Sequence, residues 1–433
     1  MRHHELIGIG FGPSNIALAI SLREHRSYTS PTEMLFIEKQ PAFAWHRHMM
    51  LDHAHMQISF LKDLATLRNP QSRFTFINYL YEQGRLPDFI NLKSFYPSRR
   101  EFNDYLCWAA SQFADHCAYG EEVMEVLPQE APGPIELLRV RSRDSSGRLQ
   151  ERLTRNLVVS VGGEPSIPSC FRGLQGDSRV FHSNSYLQAI AKHSQARRIA
   201  IVGGGQSAAE IFIDLHHHPA APNVDLILRG RAIRPADDSP FVNEVFNTEF
   251  TDYMFQQPAD GRAALLKEFR NTNYAAPDLE LIQQIFKVFY EQKVTGPIRH
   301  RMLCRHEIRS AQAQSQDISL SLFDLDSQIT AEAQYDLVIL ATGYNRTSHR
   351  QLLAPLAPYL SDLEVDRHYR ISSTSDFHPQ IFLQGACESS HGLSDTLLSV
   401  TALRTMEIAR ALDPAPHGPS SRVHDAETAL QPN

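Results

Sequence analysis

Leu6-Ile7-Gly8-Ile9-Gly10-Phe11-Gly12-Pro13-Ser14-Asn15 decides how this chain is read. Its apolar start makes a buried strand, its glycines break the strand into a turn, and apolar residues at helical spacing from Ile16 to about Glu24 open a helix. A second run, Glu33-Met34-Leu35-Phe36-Ile37-Glu38, supplies the next strand and ends in an acid. Strand, glycine turn, helix, strand and terminal acid form a dinucleotide-binding fingerprint. In that pattern Gly8 permits the tight turn, Gly10 lets backbone approach a pyrophosphate, and the helix N-terminus faces the charge. Glu38 is the expected acceptor for a ribose hydroxyl. The third glycine position holds Pro13, after an extra Gly12, and proline is tolerated in the first helical turn.

A second centre lies at Arg198-Ile199-Ala200-Ile201-Val202-Gly203-Gly204-Gly205-Gln206-Ser207-Ala208-Ala209-Glu210. Here G-x-G-x-x-A is intact between a strand and a helix. The next strand, Val224 to Leu228, ends in Arg229 rather than an acid. An acid there selects a free ribose, whereas arginine pairs with a 2′-phosphate, which favours NADP over NAD. Between the two centres, strands at Glu136 to Ser142 and Glu151 to Ser160 flank the turn Ser145-Ser146-Gly147. Pro165 and Pro168 then mark a junction. Tyr335-Asp336-Leu337-Val338-Ile339-Leu340-Ala341-Thr342-Gly343-Tyr344 reads as the strand on which the chain returns to the first domain.

The expected class is therefore α/β. Two Rossmann-like dinucleotide-binding domains are predicted, the second inserted in the first, with a small, mostly helical substrate-binding region. The first domain takes 1–165 and 330–412, the second 166–235 and 300–329, and the helical region 236–299. Residues 413–433, rich in Pro, Ser and Ala, read as a disordered tail.

Composition bounds the function. The 433 residues suffice for two or three domains, and 42% hydrophobic with 21% charged residues is ordinary for a globular protein. A net charge of -7 without a basic run argues against a nucleic-acid partner. The five cysteines are scattered, with no C-x-x-C and no metal-ligand spacing, which fits a reducing compartment. With no signal peptide and no apolar run of transmembrane length, a soluble, cytoplasmic protein is expected. His216-His217-His218 stands before Pro219 in an expected surface loop, where adjacent residues seldom converge on a metal. Amphipathic helices at Phe74 to Gln83 and Arg99 to Phe113 carry aromatic residues that read as core. Further helices are expected around Gly261 to Arg270 and Asp278 to Gln292.

Two dinucleotide folds in one chain bring two nucleotides face to face, FAD on the first and NADPH on the second, with hydride passing between the rings. Without a redox C-x-x-C a disulfide reductase is excluded, and molecular oxygen is the remaining common outlet. Phe171-x-Gly173 followed by His182-x-x-x-Tyr186 loosely matches a flavin-monooxygenase signature.

GFGPSNIALAI, MQISFLKDLATLRNP, FYPSRREFNDYL, GGGQSAAE, DDSPFVNEVF, NTNY, ATGYNR and HGLSDTLLSV together resemble the microbial N-hydroxylating monooxygenases of siderophore synthesis, and most closely the L-ornithine N5-monooxygenases. The resemblance spans about residues 5 to 410. It implies that Lys62, Asn243, Asn273 and Ser399 form the amino-acid site, Lys62 and an asparagine holding the carboxylate. Gln57 would lie beside the flavin, with Glu38, Trp45 and His46 on the FAD side. Gln206, Ser207 and Arg229 would bind NADPH. Thr342, Gly343, Leu397 and Asn273 join the cofactor-binding set with Gly8, Gly10, Gly12, Pro13, Ser14, Gly203 and Gly205. The implied reaction reduces FAD with NADPH, adds oxygen at the flavin C4a, and passes one oxygen atom to a neutral primary amine. Retained NADP⁺ would shield the adduct, and a homotetramer is implied. Ser98, Ala275-Ala276 and Thr401 depart from the family's pattern near pocket-forming segments, which leaves L-lysine, histamine, putrescine or cadaverine as rival amines. An uncoupled NADPH oxidase or a non-catalytic flavoprotein are the readings from other classes.

Overall fold

The computed structural model describes residues 2–25, 33–129, 132–274 and 276–412; the tail expected at 413–433, like Ala275, lies outside them. Leu149–Val159 is the spine of the first sheet. Along one edge it pairs in parallel with Arg2–Ile9, register Ile9 to Val159. Its other edge is shared. The first half pairs antiparallel with Leu138–Asp144, and the second half takes Gln380–Leu383 in parallel. Met34–Glu38 and Cys117–Tyr119 extend the parallel side, and Glu121–Pro128 closes the antiparallel side. The second half of Arg2–Ile9 and most of Met34–Glu38 are apolar and buried, as parallel strands covered on both faces are.

A second sheet runs His300–Cys304, Asn223–Leu228, Arg198–Val202, Leu337–Leu340 and Val180–His182, all parallel. An antiparallel meander of His306–Ala313, Ile318–Asp324 and Thr330–Tyr335 packs beside it over Phe171 and Leu320. One expectation is corrected here. Sequence places the return to the first domain at 330, yet Thr330–Tyr335 and Leu337–Leu340 both pair within the second unit. The periodicity of a buried strand cannot say which sheet it joins. The crossing falls instead at Gly343–Asn345. There Tyr344–Asn345 pairs antiparallel with the outgoing Glu164–Pro165, and the Ser166 N–H donates to the Gly343 carbonyl at 2.9 Å. The second unit thus hangs on two neighbouring strands of chain.

Between its strands the second unit carries helices Pro240–Asn243, Thr248–Gln256, Ala259–Phe269 and Leu279–Thr295. Of the aromatic residues read as core, Phe74, Phe76, Tyr79, Phe102 and Tyr105 are buried and touch edge-to-face or stacked, whereas Trp108 is half-buried and donates its indole N–H to Glu82. His216 and His217 end the helix Gln206–His217 rather than lying in a loop. His216 packs on His300 and Arg299, and no metal-binding group of side chains occurs among the described residues.

Candidate active site

The two glycine turns face one another across a cleft of about 2980 Å³. At the first turn Gly10 is the residue with a left-handed backbone, φ +82, and a Cβ there would stand 2.5 Å from the Ser160 carbonyl oxygen. Gly8 has another task from the one expected. It lies inside the strand Arg2–Ile9, and a Cβ would meet the Phe36 ring at 2.3 Å. It serves strand-to-ring packing, and the tight turn belongs to Gly10. Gly12 precedes the helix Pro13–Glu24, with Pro13 in the first turn as expected and open space where its side chain would be. That opening and the free helix N-terminus suit a pyrophosphate.

Glu38 ends its strand buried, and its carboxylate accepts the Phe11 and Gln40 N–H groups at 2.8 and 2.9 Å. It braces the glycine turn from behind, and like Gly8 and Gly10 it does not line the cleft. Behind the helix, Arg404 is 1% exposed and pairs with Asp395 at 3.0 Å. It also donates to Ser14 Oγ at 2.9 Å and Gln384 Oε1 at 3.2 Å, while Gln384 donates to Asn15 at 3.0 Å. The C-terminal helix Thr401–Leu412 is thereby tied to the nucleotide turn.

At the second turn Gly203 has φ +138, and a Cβ would meet the Ala341 carbonyl oxygen at 2.2 Å. Gly205 precedes the helix Gln206–His217, so Gln206 and Ser207 fill its first turn. Arg229 follows the neighbouring strand, exposed on the cleft wall, and no carboxylate pairs with it among the described residues. Thr342 and Gly343 close the floor, with Thr342 Oγ1 donating to the Ser166 carbonyl at 2.5 Å. His182 donates from Nε2 to the Gly343 carbonyl at 2.9 Å, so the histidine of the loose signature is a strut beneath the cleft.

Between the turns lie the remaining expected residues: Lys62, Asn243, Asn273, Ser399, Trp45, His46, Gln57 and Leu397 all line this cleft. Lys62 belongs to a loop held rigid by the next residue. Buried Asp63 accepts the N–H groups of Ala65, Thr66 and Phe76 at 2.8, 2.6 and 2.7 Å. Lys62 itself is half-buried without an ion-pair partner among the described residues, and burial pushes its pKa below the ordinary 10.5. Ser399 is 4% exposed and its hydroxyl has no partner among the described residues. Asn243 spends its N–H₂ on the Asp238 carbonyl at 3.0 Å, which leaves Oδ1 as an acceptor. A cation and a hydroxyl without partners among the described residues, and two amides, all lining this cleft, are the donors and acceptors a zwitterion requires, since each buried polar group left alone is costly.

Sequence reading missed several groups. Glu388 lines the cleft and accepts from the Tyr274 hydroxyl; burial raises the carboxyl's pKa and lifts the phenol's to about 12. Asp278 bonds Gln57 and Gln206, and Arg99 forms a two-pronged pair with Glu210. Their partners are distant in sequence, and no local pattern announces them. Of the departures from the family pattern, Ser98 caps the helix Arg99–Ser111 by accepting from Glu101 N–H at 3.1 Å. Thr401 is buried with its hydroxyl on the Leu397 carbonyl at 3.1 Å, and Ala276 alone of the three lines the cleft.

Comparison with known proteins agrees with this geometry. Residues 2–346 match the family described as L-lysine 6-monooxygenase/L-ornithine 5-monooxygenase. The chain is 51% identical over 413 residues to an L-ornithine N(5)-monooxygenase of Pseudomonas aeruginosa, covering 94% of this chain and 93% of that one. Among solved structures, the ornithine hydroxylase PvdA of Pseudomonas aeruginosa superposes with a TM-score of 0.91 at 50% identity, covering 95% of this chain and 98% of that one. The ornithine N-hydroxylase of Kutzneria sp. 744, described as KtzI-FADred-NADP+-L-orn, gives 0.89 at 34% identity over 95% of this chain and 99% of that one. By sequence and by fold, the chain belongs to the L-lysine 6-monooxygenase/L-ornithine 5-monooxygenase family.

Proposed function

We propose that the chain is an L-ornithine N5-monooxygenase that uses FAD and NADPH and draws on molecular oxygen. What supports this reading is that Lys62, Asn243, Asn273 and Ser399 line the same cleft as both nucleotide turns, in a chain 51% identical to an L-ornithine N(5)-monooxygenase. FAD at the Gly10–Ser14 turn and NADPH at the Gly203–Ser207 turn, when bound, supply the reducing equivalents and the oxygen activation. The chain's own residues bind, orient and exclude water.

On this reading the Lys62 ammonium and one asparagine grip the substrate carboxylate. The other asparagine and the Ser399 hydroxyl take its amino groups, and Arg229 takes the 2′-phosphate of NADPH. Trp45, His46 and Gln57 stand on the flavin side.

The carboxylate anchor is fixed, so chain length sets where the side-chain nitrogen stands. One extra methylene displaces it by about 1.3 Å, and a misplacement of about 1 Å can cost about a hundred-fold in rate. Ornithine, lysine, cadaverine, putrescine and histamine should be compared at equal concentration, with hydroxylated product scored against NADPH consumed. Ornithine is expected to couple best, with lysine bound more weakly or uncoupled. Coupled hydroxylation of a decarboxylated amine and none of ornithine would sink the ornithine assignment. A homotetramer belongs to the same reading, and sedimentation of the loaded protein checks it. No helix among the described residues is long and apolar enough to cross a membrane.

A further inference from the structure

Asp278 occupies the position before the helix Leu279–Thr295, with the extended backbone of a capping residue, yet its side chain makes no capping bond. Aspartate there ordinarily accepts from the helix's first free N–H groups, a contact worth about 1 kcal/mol. This carboxylate is turned away from its helix. One oxygen accepts from Gln57 Nε2 at 3.1 Å and the other from Gln206 Nε2 at 2.9 Å. The Asp278 N–H donates back to Gln206 Oε1 at 3.0 Å, so both polar ends of Gln206 are committed to one residue.

Gln206 also donates to Glu210 Oε1 at 2.9 Å. Glu210, 1% exposed, is gripped by Arg99 at 2.7 and 2.9 Å, and Arg99 reaches on to the Met49 carbonyl at 2.9 Å. Arg99 and Gln57 belong to the first unit, Gln206 and Glu210 to the second, and Asp278 to the helical region. This run of bonds joins the first unit to the second at both of its ends, Gln57 and Arg99.

A carboxylate can only accept, so it decides which way each amide points. Gln57 must turn its N–H₂ toward Asp278, and its Oε1 then has no protein partner among the described residues. We propose that Asp278 is a positioning residue that locks the amides of Gln57 and Gln206 across the cleft, keeping the flavin-side and nicotinamide-side walls of the site in register. The proposal rests on the reading of the chain as an FAD- and NADPH-dependent N-hydroxylase.

Asp278→Ser separates this role from stability, because serine caps a helix as well as aspartate does but cannot reach both amides. Three quantities should be measured on the FAD-loaded protein: the thermal midpoint, the NADP⁺ dissociation constant by titration calorimetry, and hydroxylated ornithine formed per NADPH consumed. The midpoint is expected to stay within about 2 °C. NADP⁺ should bind about ten-fold more weakly as Gln206 loses a charged partner. Coupling should fall severalfold, with the KM for ornithine within about two-fold of the parent. Adding Gln57→Leu to Asp278→Ser should lower coupling no further than Gln57→Leu alone, because two changes in one contact are not additive. Asp278→Asn, of the same shape but with a single acceptor, should show the intermediate loss, and it serves if the serine variant does not fold.

Unchanged NADP⁺ affinity and coupling in both variants would overturn the proposal, as would losses that add independently to those of Gln57→Leu. A lowered midpoint with affinity and coupling intact would make Asp278 merely structural and overturn it too. A parent enzyme that binds NADP⁺ but hydroxylates no amine would instead fail the functional reading, and the calorimetry would still judge the lock.

Discussion

At the scale of single residues, the cleft separates charges that already have partners from charges held in reserve. Arg229 has none among the described residues, whereas nearby Arg231 is spent on Asp326. Arg229→Ala should therefore reduce the preference for NADPH over NADH by about ten- to hundred-fold, the worth of a charged two-pronged contact. Equal preference ratios in parent and variant would remove Arg229 from the 2′-phosphate site. Lys62 bears on pH. The side-chain amine of ornithine must lose its proton before it can attack, and its solution pKa is near that of lysine, roughly 10.4, so kcat/KM should climb through about pH 8. Burial holds the Lys62 ammonium below 10.5, so its grip is lost at a lower pH than an ordinary lysine would allow. The climb should end in an early alkaline fall, and Lys62→Arg, whose charge persists, should move that fall upward even as it weakens binding. A profile with the same alkaline limb in both proteins would separate Lys62 from the carboxylate. These two cations were legible in the sequence, one from its place after a strand and one from the family's pattern. Asp278 was not, because the amide it orients lies 221 positions away and nothing local marks an aspartate that declines to cap its helix.

Elements explain where sequence reading held and where it slipped. Strand, turn and helix of both nucleotide centres were legible because the glycine pattern and the 2-to-3.6 change of period are local. Assigning tasks to individual glycines was not. Gly8 answers to the Phe36 ring on the next strand, and Gly203 to the Ala341 carbonyl just past a strand far along the chain. Gly203→Ala combines a positive φ with a 2.2 Å contact to backbone that cannot retreat, so NADP⁺ affinity should collapse while FAD stays bound. An alanine variant with parental NADP⁺ affinity would refute that account. Ser98 is the milder case. It departs from the family pattern, but it caps the helix Arg99–Ser111 and does not line the cleft. Ser98→Ala should cost about 1 kcal/mol of stability and leave the KM for ornithine unchanged. A shifted KM with full stability would return Ser98 to the substrate pocket.

Over the whole molecule, acid sensitivity follows from histidines buried without charge. His391 is fully buried against Tyr369, with Nε2 on the Arg367 carbonyl and Nδ1 on the Ser390 hydroxyl, and burial holds its pKa at about 4. His300, buried beside Arg299, is held at about 3. In the unfolded chain both titrate near 6.5. The unfolded state therefore binds protons first as pH falls, so stability is full above about 6.5 and drains away toward 4. The thermal midpoint should drop between pH 6.5 and 5, before most carboxylates titrate, and a flat midpoint there would contradict neutral burial. The order of the chain carries one more consequence. The parallel face of the first sheet is completed by Gln380–Leu383, and the turn at Gly10–Ser14 is braced by Arg404. On the ribosome, the first nucleotide turn to be synthesised must wait for almost the last helix before it is whole. The inserted second unit, its strands contained between Val180 and Leu340, can fold while that turn is still unfinished. Nascent chains released before Gln380 should thus hold the nicotinamide nucleotide and not the flavin, which makes flavin loading a report that translation has finished.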